Sequence, residues 1–254
     1  MTALDALLLA LAGVGAGLTG SIAGLASLAS YPALLAFGLP PYAANVTNSV
    51  ALLANGAGSA IGSRRELRGQ GRRVAWLSLQ SAIGGCVGAA LLLLTDPEAF
   101  EVVVPWLVAL GALLLIGRNR LRDAAERRRI SRGAPAVVRS WRWPLLIALA
   151  GIYGGYFGAG AGIILLAVLS VRTIEPLAVT NAVKNVATST ANGVAAVAYM
   201  IFAPVDWPAA LVLGAGALVG AWTGPSIVRF LPETPLRWAI GAAGLGLAGY
   251  LLLA

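Results

Sequence analysis

Asn48-Ser49-Val50-Ala51-Leu52-Leu53-Ala54-Asn55-Gly56 and Asn185-Val186-Ala187-Thr188-Ser189-Thr190-Ala191-Asn192-Gly193 are two versions of one pattern. Both open on Asn and close on Asn-Gly. Working outward, Gly13, Gly17, Gly20 and Gly24 upstream of the first copy match Gly151, Gly155, Gly158 and Gly162 upstream of the second. Downstream, Val74-Ala75-Trp76 matches Val205-Asp206-Trp207, and Val87-Gly88-Ala89 matches Val219-Gly220-Ala221. The order is kept at a nearly constant offset, so the chain reads as two tandem copies of one unit, and that period governs every later step of the reading.

The composition places those copies in a membrane. Hydrophobic residues make up 59% of the chain and charged residues 11%, against roughly 45–50% and about 25% in a soluble domain. The excess is concentrated in apolar stretches at 74–95, 102–117, 208–228 and 235–254, uncharged but for Arg237 near the start of the last. Each approaches the ~20 residues that a helix needs to cross about 30 Å of hydrocarbon. Abundant glycine suits helices packed closely in lipid. The expected class is an all-α polytopic membrane protein. Its N-terminal Met1-Thr2-Ala3-Leu4-Asp5 lacks the positive flank of a signal peptide and reads as part of the fold. Cys86 stands alone, which excludes a disulfide framework or a thiolate metal site.

The net charge of +8 does not point to nucleic acid, because 14 of the 18 basic residues sit in two runs between apolar segments. One run is Arg64, Arg65, Arg68, Arg72 and Arg73; the other, residues 118–142, holds nine arginines. Such runs mark cytoplasmic loops and also suit anionic lipid. The expected location is the cell (inner) membrane, multi-pass, with loops 64–73 and 118–142 cytoplasmic. The second run then divides the chain into repeat 1 (1–117), an Arg-rich linker (118–142) and repeat 2 (143–254).

The arginines also bear on how the copies are oriented. Four crossings per copy would leave Arg172, Arg229 and Arg237 outside. An odd number puts them inside with both basic runs, and leaves Asp5, Asp96, Glu98, Glu101 and Asp206 outside. An odd count makes the copies inverted. Its origin is the glycine cluster Gly151, Gly154, Gly155, Gly158, Gly160 and Gly162, after which about nine apolar residues, some 14 Å of helix, are too short to span. Each unit is therefore expected to be a Gly-broken helix pair, re-entrant or two short crossings, followed by three spanning helices. Broken backbone at membrane depth is tolerated where it is buried in protein or lines a polar cavity.

These residues resemble the sulfite exporter TauE/SafE family, also called toluene-sulfonate uptake permeases. The resemblance is carried by Gly155-Tyr156-Phe157-Gly158-Ala159-Gly160-Ala161-Gly162, the Ala/Asn/Thr/Ser helix after it, Val205-Asp206-Trp207, and the glycine run ending at Gly220-Ala221. It covers nearly all of both repeats. In repeat 1 the pattern departs, with Ser21-Ile22-Ala23 where glycines are expected. The resemblance implies a transporter of sulfite, an organosulfonate or a related small sulfur-containing anion.

Independently of the family, Lys184 lies in the otherwise uncharged stretch 176–204, about 12 Å of helix from its nearer end. A lysine there costs on the order of 2.5–3.5 kcal/mol to insert and commonly marks a pathway, although a snorkelling lysine would also fit. Asn181, Asn185, Thr188 and Asn192 recur at i, i+4, i+7 and i+11, on one helix face with Lys184 beside them. Repeat 1 offers Asn45, Asn48 and Asn55. Amides and one ammonium suit an oxyanion, which presents only acceptors; the bland alternative is hydrogen bonding between helices. In an inverted repeat the site falls near the midplane, with Asn48 and Asn55 facing Asn185 and Asn192. Gly158, Gly160 and Gly162, with Gly20 in repeat 1, expose backbone N–H groups at a helix N-terminus, which favours an anion.

No Asp or Glu falls inside an expected span and histidine is absent, so a carboxylate or imidazole proton relay is not expected. No nucleotide loop, metal cluster or cofactor motif is present, and no cofactor is expected. A Ser189 or Thr188 dyad with Lys184 is disfavoured because Ala51 and Leu52 stand opposite Thr188 and Ser189 in repeat 1; the chain is not expected to be an enzyme. The main alternative is an accessory subunit of a larger membrane complex, whose polar faces would be packed without a cavity. The expected partners are a small anion and the bilayer, with a homodimer left open.

Overall fold

A computed structural model describes residues 2–131, 142–170, 175–227 and 233–253. Linker residues 132–141 and the topological markers Arg172 and Arg229 lie outside them, as does the side chain of Arg237. Among the described residues there are ten helices and no strand. They are α1 Ala3–Ala23, α2 Ala26–Ala36, α3 Pro41–Gly62, α4 Gly71–Leu93, α5 Pro97–Ser131, α6 Arg142–Tyr156, α7 Ala161–Ser170, α8 Leu177–Phe202, α9 Trp207–Ile227 and α10 Glu233–Leu253.

Local chemistry sets the helix ends. Thr2 and Asp5 form a reciprocal capping box that starts α1. The fixed φ of proline starts α3 and α8, whose N-caps are Pro40 and Pro176. The chain breaks where glycine permits a left-handed backbone: at Gly24 (φ 75°) between α1 and α2, and at Gly158 and Gly160 (φ 84° and 85°) between α6 and α7. It folds back at the first break, because a Cβ on Gly20 would lie 2.8 Å from the Ala26 Cβ. The short arms α2 and α7, 11 and 10 residues, cannot span.

Four described segments are long and apolar enough to cross a bilayer: Ala3–Ser21, Gly71–Leu93, Pro97–Gly117 and Trp207–Gly224. The first is one arm of the Gly-broken pair, which the sequence pattern suggested would be short. Helices α3 and α8 have spanning length, 22 and 26 residues, but carry polar faces. The first part of the Arg-rich linker continues α5 as helix to Ser131. Leu4, Leu7, Leu8 and Leu11 on α1, Leu79, Ile83, Val87 and Leu91 on α4, and Val102, Trp106 and Leu113 on α5 are exposed. Asn45, Asn48, Lys184 and Asn185 are buried. Apolar residues outside and polar ones inside reverse the soluble arrangement, as lipid requires.

Glycine sets the packing. A Cβ on Gly216 would fall 2.1 Å from the Ala10 carbonyl oxygen, and one on Gly220 2.1 Å from that of Val14. Helices α1 and α9 therefore run parallel with their backbones in contact. The second copy repeats this with partners exchanged: α6 packs on α4, where Gly84 and Gly88 meet the carbonyls of Ala148 and Ile152. Helix α3 packs on α9 as α8 packs on α4. Two matched pairs touch each other directly. Asn192 donates to the Ser49 carbonyl at 2.9 Å and Gly56 abuts Ser189, so α3 and α8 run antiparallel. Gly241 abuts Ile116 and Gly244 abuts Ala112, so α5 and α10 do too.

Candidate functional site

The two backbone breaks meet. A Cβ on Gly24 would lie 2.9 Å from the Gly162 Cα, and one on Gly162 would lie 2.8 Å from the Gly24 Cα. These are matched positions of the two copies, and no side chain could stand between them. Beside the contact is a cavity of roughly 60 Å³, lined by Gly20, Gly24, Ala26, Ser27, Leu52, Asn55, Gly154, Gly158, Ala161, Gly162, Asn185, Thr188, Ser189 and Asn192. At about 10–15 Å³ per water, it has room for a few waters or a compact oxyanion. Both repeats contribute walls.

Two helix N-termini reach this cavity, α2 through Ala26 and Ser27 and α7 through Ala161 and Gly162. The first turn of a helix carries N–H groups without intrahelical partners and the positive end of the dipole. Helix α7 begins at Ala161, two residues earlier than the glycine pattern suggested, so Gly162 lies within its first turn.

Of the residues singled out by the sequence, Gly20, Asn55, Gly158, Gly162, Asn185, Thr188 and Asn192 line the cavity, while Asn48, Asn181, Gly160 and Lys184 do not. Asn48 is buried and accepts a hydrogen bond from the Ser30 hydroxyl. Asn181 and Asn185 both donate to the Ser21 carbonyl, at 3.0 and 2.8 Å. Thr188 donates back into its own helix, to the carbonyls of Lys184 and Asn185. Gly160 lies against Gly111 of α5. Lys184, the only lysine in the chain, is fully buried. Its Nζ is 3.0 Å from where a Gly24 Cβ would be. The ammonium therefore sits at the Gly24 turn.

The breaks expose carbonyls, and side chains from α6 itself and from other helices satisfy them. Tyr153 Oη donates to the Ala159 carbonyl at 2.6 Å, Tyr199 Oη donates to that of Gly155, and Asn45 Nδ2 to that of Tyr156 at 3.0 Å. In the first copy Asn181 and Asn185 do the same for Ser21. Buried carbonyls in a lipid-embedded protein need such partners.

Sequence reasoning missed Gly24, Ser27, Gly154 and Ser189 as cavity residues. Gly24 was available as the repeat partner of Gly162; Ser27 follows the first break as Leu165 follows the second, and that substitution carried no signal.

The cavity sits between unlike layers. Along α8, Val179 and Val183 precede the cavity residues and pack with Val74, Leu77, Leu165 and Leu169. At the mouth of that layer, Arg73 of α4 and Glu175 ahead of α8 form an ion pair, with Gln70 donating to Glu175 at 3.2 Å. Near the opposite helix ends, Tyr31, Tyr42, Phe100, Tyr156 and Phe157 stack edge-on or tilted, with ring centroids 5.3 to 6.4 Å apart.

Residues 9–251 match the family model described as sulfite exporter TauE/SafE. The chain belongs to the sulfite exporter TauE/SafE family. It is 26% identical over 219 residues to a probable membrane transporter protein of Haemophilus influenzae, a match covering 85% of this chain and 82% of that one. It is also 26% identical over 210 residues to the probable membrane transporter protein ORF9 of a Sinorhizobium species, covering 82% and 77%. No solved structure matches the chain. As a TauE/SafE member it is a multi-pass membrane protein of a transporter family, and the two glycine breaks and the cavity between them fall inside the matched region.

Proposed function

We propose that this chain carries a small anion across the membrane by alternating access at the cavity where its two broken helix pairs meet. Sulfite, a sulfonate or a related sulfur-containing oxyanion is the substrate class. The observation that carries the reading is the cavity: it is lined from both repeats, receives two helix N-termini, and adds the amides of Asn55, Asn185 and Asn192. Each amide has two N–H donors, so Asn185 and Asn192 keep one after bonding to a carbonyl. A cavity of this kind is at odds with an accessory subunit whose polar faces are packed, and nothing in it resembles a catalytic dyad.

The unit organisation is 1–117, 118–142 and 143–254, with the two repeats inverted. The antiparallel contacts of α3 with α8 and α5 with α10, together with the exchanged packing of α1 on α9 and α6 on α4, support a two-fold axis lying in the membrane plane. The Arg-bearing loops face the cytoplasm, on the inner membrane of the cell. The carrier needs no cofactor.

The test is flux of radiolabelled sulfite and of a taurine-like sulfonate into proteoliposomes, for the wild type and for Asn55→Leu, which replaces a cavity amide by an apolar group of similar size. Saturable flux that falls at least ~10-fold in the variant is expected. No flux of any of these anions through folded wild-type protein would sink the reading.

A further inference from the structure

We infer that Lys184 is a positioning residue: its ammonium clasps the carboxyl end of α1 and holds the Gly24 turn that walls the cavity, rather than touching the transported anion. The flux arm of the test rests on the transport reading above; the clasp itself does not.

Three observations place the ammonium there. The Nζ lies against Gly24, the residue that ends α1 in a left-handed conformation. Lys184 is absent from the cavity lining, whereas Gly24 and Gly162 belong to it, so the turn stands between charge and cavity. On the same helix α8, three residues before Lys184 and one after it, Asn181 and Asn185 donate to the Ser21 carbonyl three residues before Gly24. Three neighbouring side chains of α8 thus converge on the last turn of α1.

The physical sense is that of a C-terminal cap supplied by a different helix. The last carbonyls of a helix lack intrahelical partners and carry the negative end of its dipole, which a cation stabilises. Helix α1 has no basic residue in its own last turn. The break therefore presents negative potential on the α1 side and the positive N-terminus of α2 on the cavity side. An ammonium on the first side offsets the one without filling the space served by the other.

The matched break is held differently, which makes the arrangement specific to one turn. The carbonyls of Gly155, Tyr156 and Ala159 are met by Tyr199, Asn45 and Tyr153, all neutral. At the position matched to Lys184, repeat 1 has Thr47, whose hydroxyl accepts from the Asp206 N–H at 3.0 Å and serves the α8–α9 junction instead. One of the two breaks carries a charged clasp and its counterpart does not.

The experiment compares the wild type with Lys184→Met and Lys184→Gln. Amide hydrogen exchange in detergent comes first. Faster exchange at residues 20–25 in Lys184→Met, by at least ~10-fold and largely reversed in Lys184→Gln, whose amide can still donate to carbonyls, is expected. Unchanged exchange in that segment overturns the clasp, whatever the flux. The second readout is sulfite flux in proteoliposomes. A positioning residue predicts a maximal rate at least ~10-fold lower in Lys184→Met with KM within ~2-fold. A KM at least ~10-fold higher at an unchanged maximal rate would make the ammonium an anion ligand and overturn the proposal. If the wild type moves no anion, the transport reading fails while the exchange result still decides the clasp. Should Lys184→Met fail to fold, Lys184→Thr, the residue that repeat 1 carries at the matched position, takes its place: exchange at residues 20–25 at least ~10-fold faster is expected, and unchanged protection would overturn the idea equally.

Discussion

Gly17→Ala and Gly15→Ala, two positions on one helix, should have opposite effects on stability. A Cβ on Gly17 would sit 2.2 Å from the Ala217 carbonyl oxygen and 2.6 Å from the Ala221 nitrogen, whereas one on Gly15 meets nothing within 4 Å. Ordinary contact begins near 3.4 Å, so the α1 and α9 backbones must part by on the order of 1 Å. Neither atom belongs to a flexible side chain that could yield. Separation would also open the contacts at Gly13, Gly216 and Gly220 along the same seam. Overpacking costs about 1–3 kcal/mol or more, and the rigidity of both partners puts Gly17→Ala at the upper end. Replacing a helical glycine by alanine returns up to about 1 kcal/mol, leaving a net loss of ~2 kcal/mol or more. At about 2–4 °C per kcal/mol for a chain of this size, the melting temperature should fall by roughly 5–10 °C. Gly15→Ala should leave it unchanged or raise it by up to about 3 °C. The assay is thermal unfolding in one mild detergent, followed by fluorescence-detected size exclusion. A Gly17→Ala protein that melts no lower than Gly15→Ala would refute the close-packed seam.

Further outcomes follow from the breaks and the cavity. Tyr199→Phe should cost about 1–3 kcal/mol, since it removes the donor to the buried Gly155 carbonyl, and should lower the melting temperature in the same assay. Thr188→Val should change the KM for sulfite less than ~3-fold, because that hydroxyl already donates to its own helix; a tenfold rise would mean that it reaches the anion. Gly158→Ala strains a left-handed residue by about 1–2 kcal/mol and narrows the cavity, so proteoliposome flux should drop at least ~10-fold. Arg73→Gln should cost under about 1 kcal/mol, with even that difference vanishing at high salt, because the pair with Glu175 is partly exposed.

The features legible beforehand are those encoded locally. A left-handed turn asks for glycine wherever it occurs, so Gly24, Gly158 and Gly160 announced the breaks. Close helix contact asks for small residues at four-residue spacing, so the repeat of Gly84 and Gly88 by Gly216 and Gly220 was visible too. Side-chain destinations were not local. Asn181, Asn185, Thr188 and Asn192 do share a helix face, but the face crosses several neighbours: its first two amides meet the end of α1, and its last meets α3. Helical period cannot say which stretch of a face meets backbone and which meets open space. Lys184 shows the same limit. Its depth could be counted along the sequence, but the object it lies against, a glycine turn of the other repeat, could not. The length of α1 was hidden because its glycines at 13, 15 and 17 resemble a break yet remain helical.

The exchange of partners between the copies has a consequence for how the protein is made. Helix α1 leaves the ribosome long before α9, the surface its glycines are shaped for. Until then a seam of bare backbone must wait in lipid or against a temporary neighbour. Neither half can therefore complete its packing alone, and insertion has to outlast synthesis of nearly the whole chain. Truncations just ahead of α9 should accordingly be recognised and degraded as orphans, even though the eight described helices before it are intact.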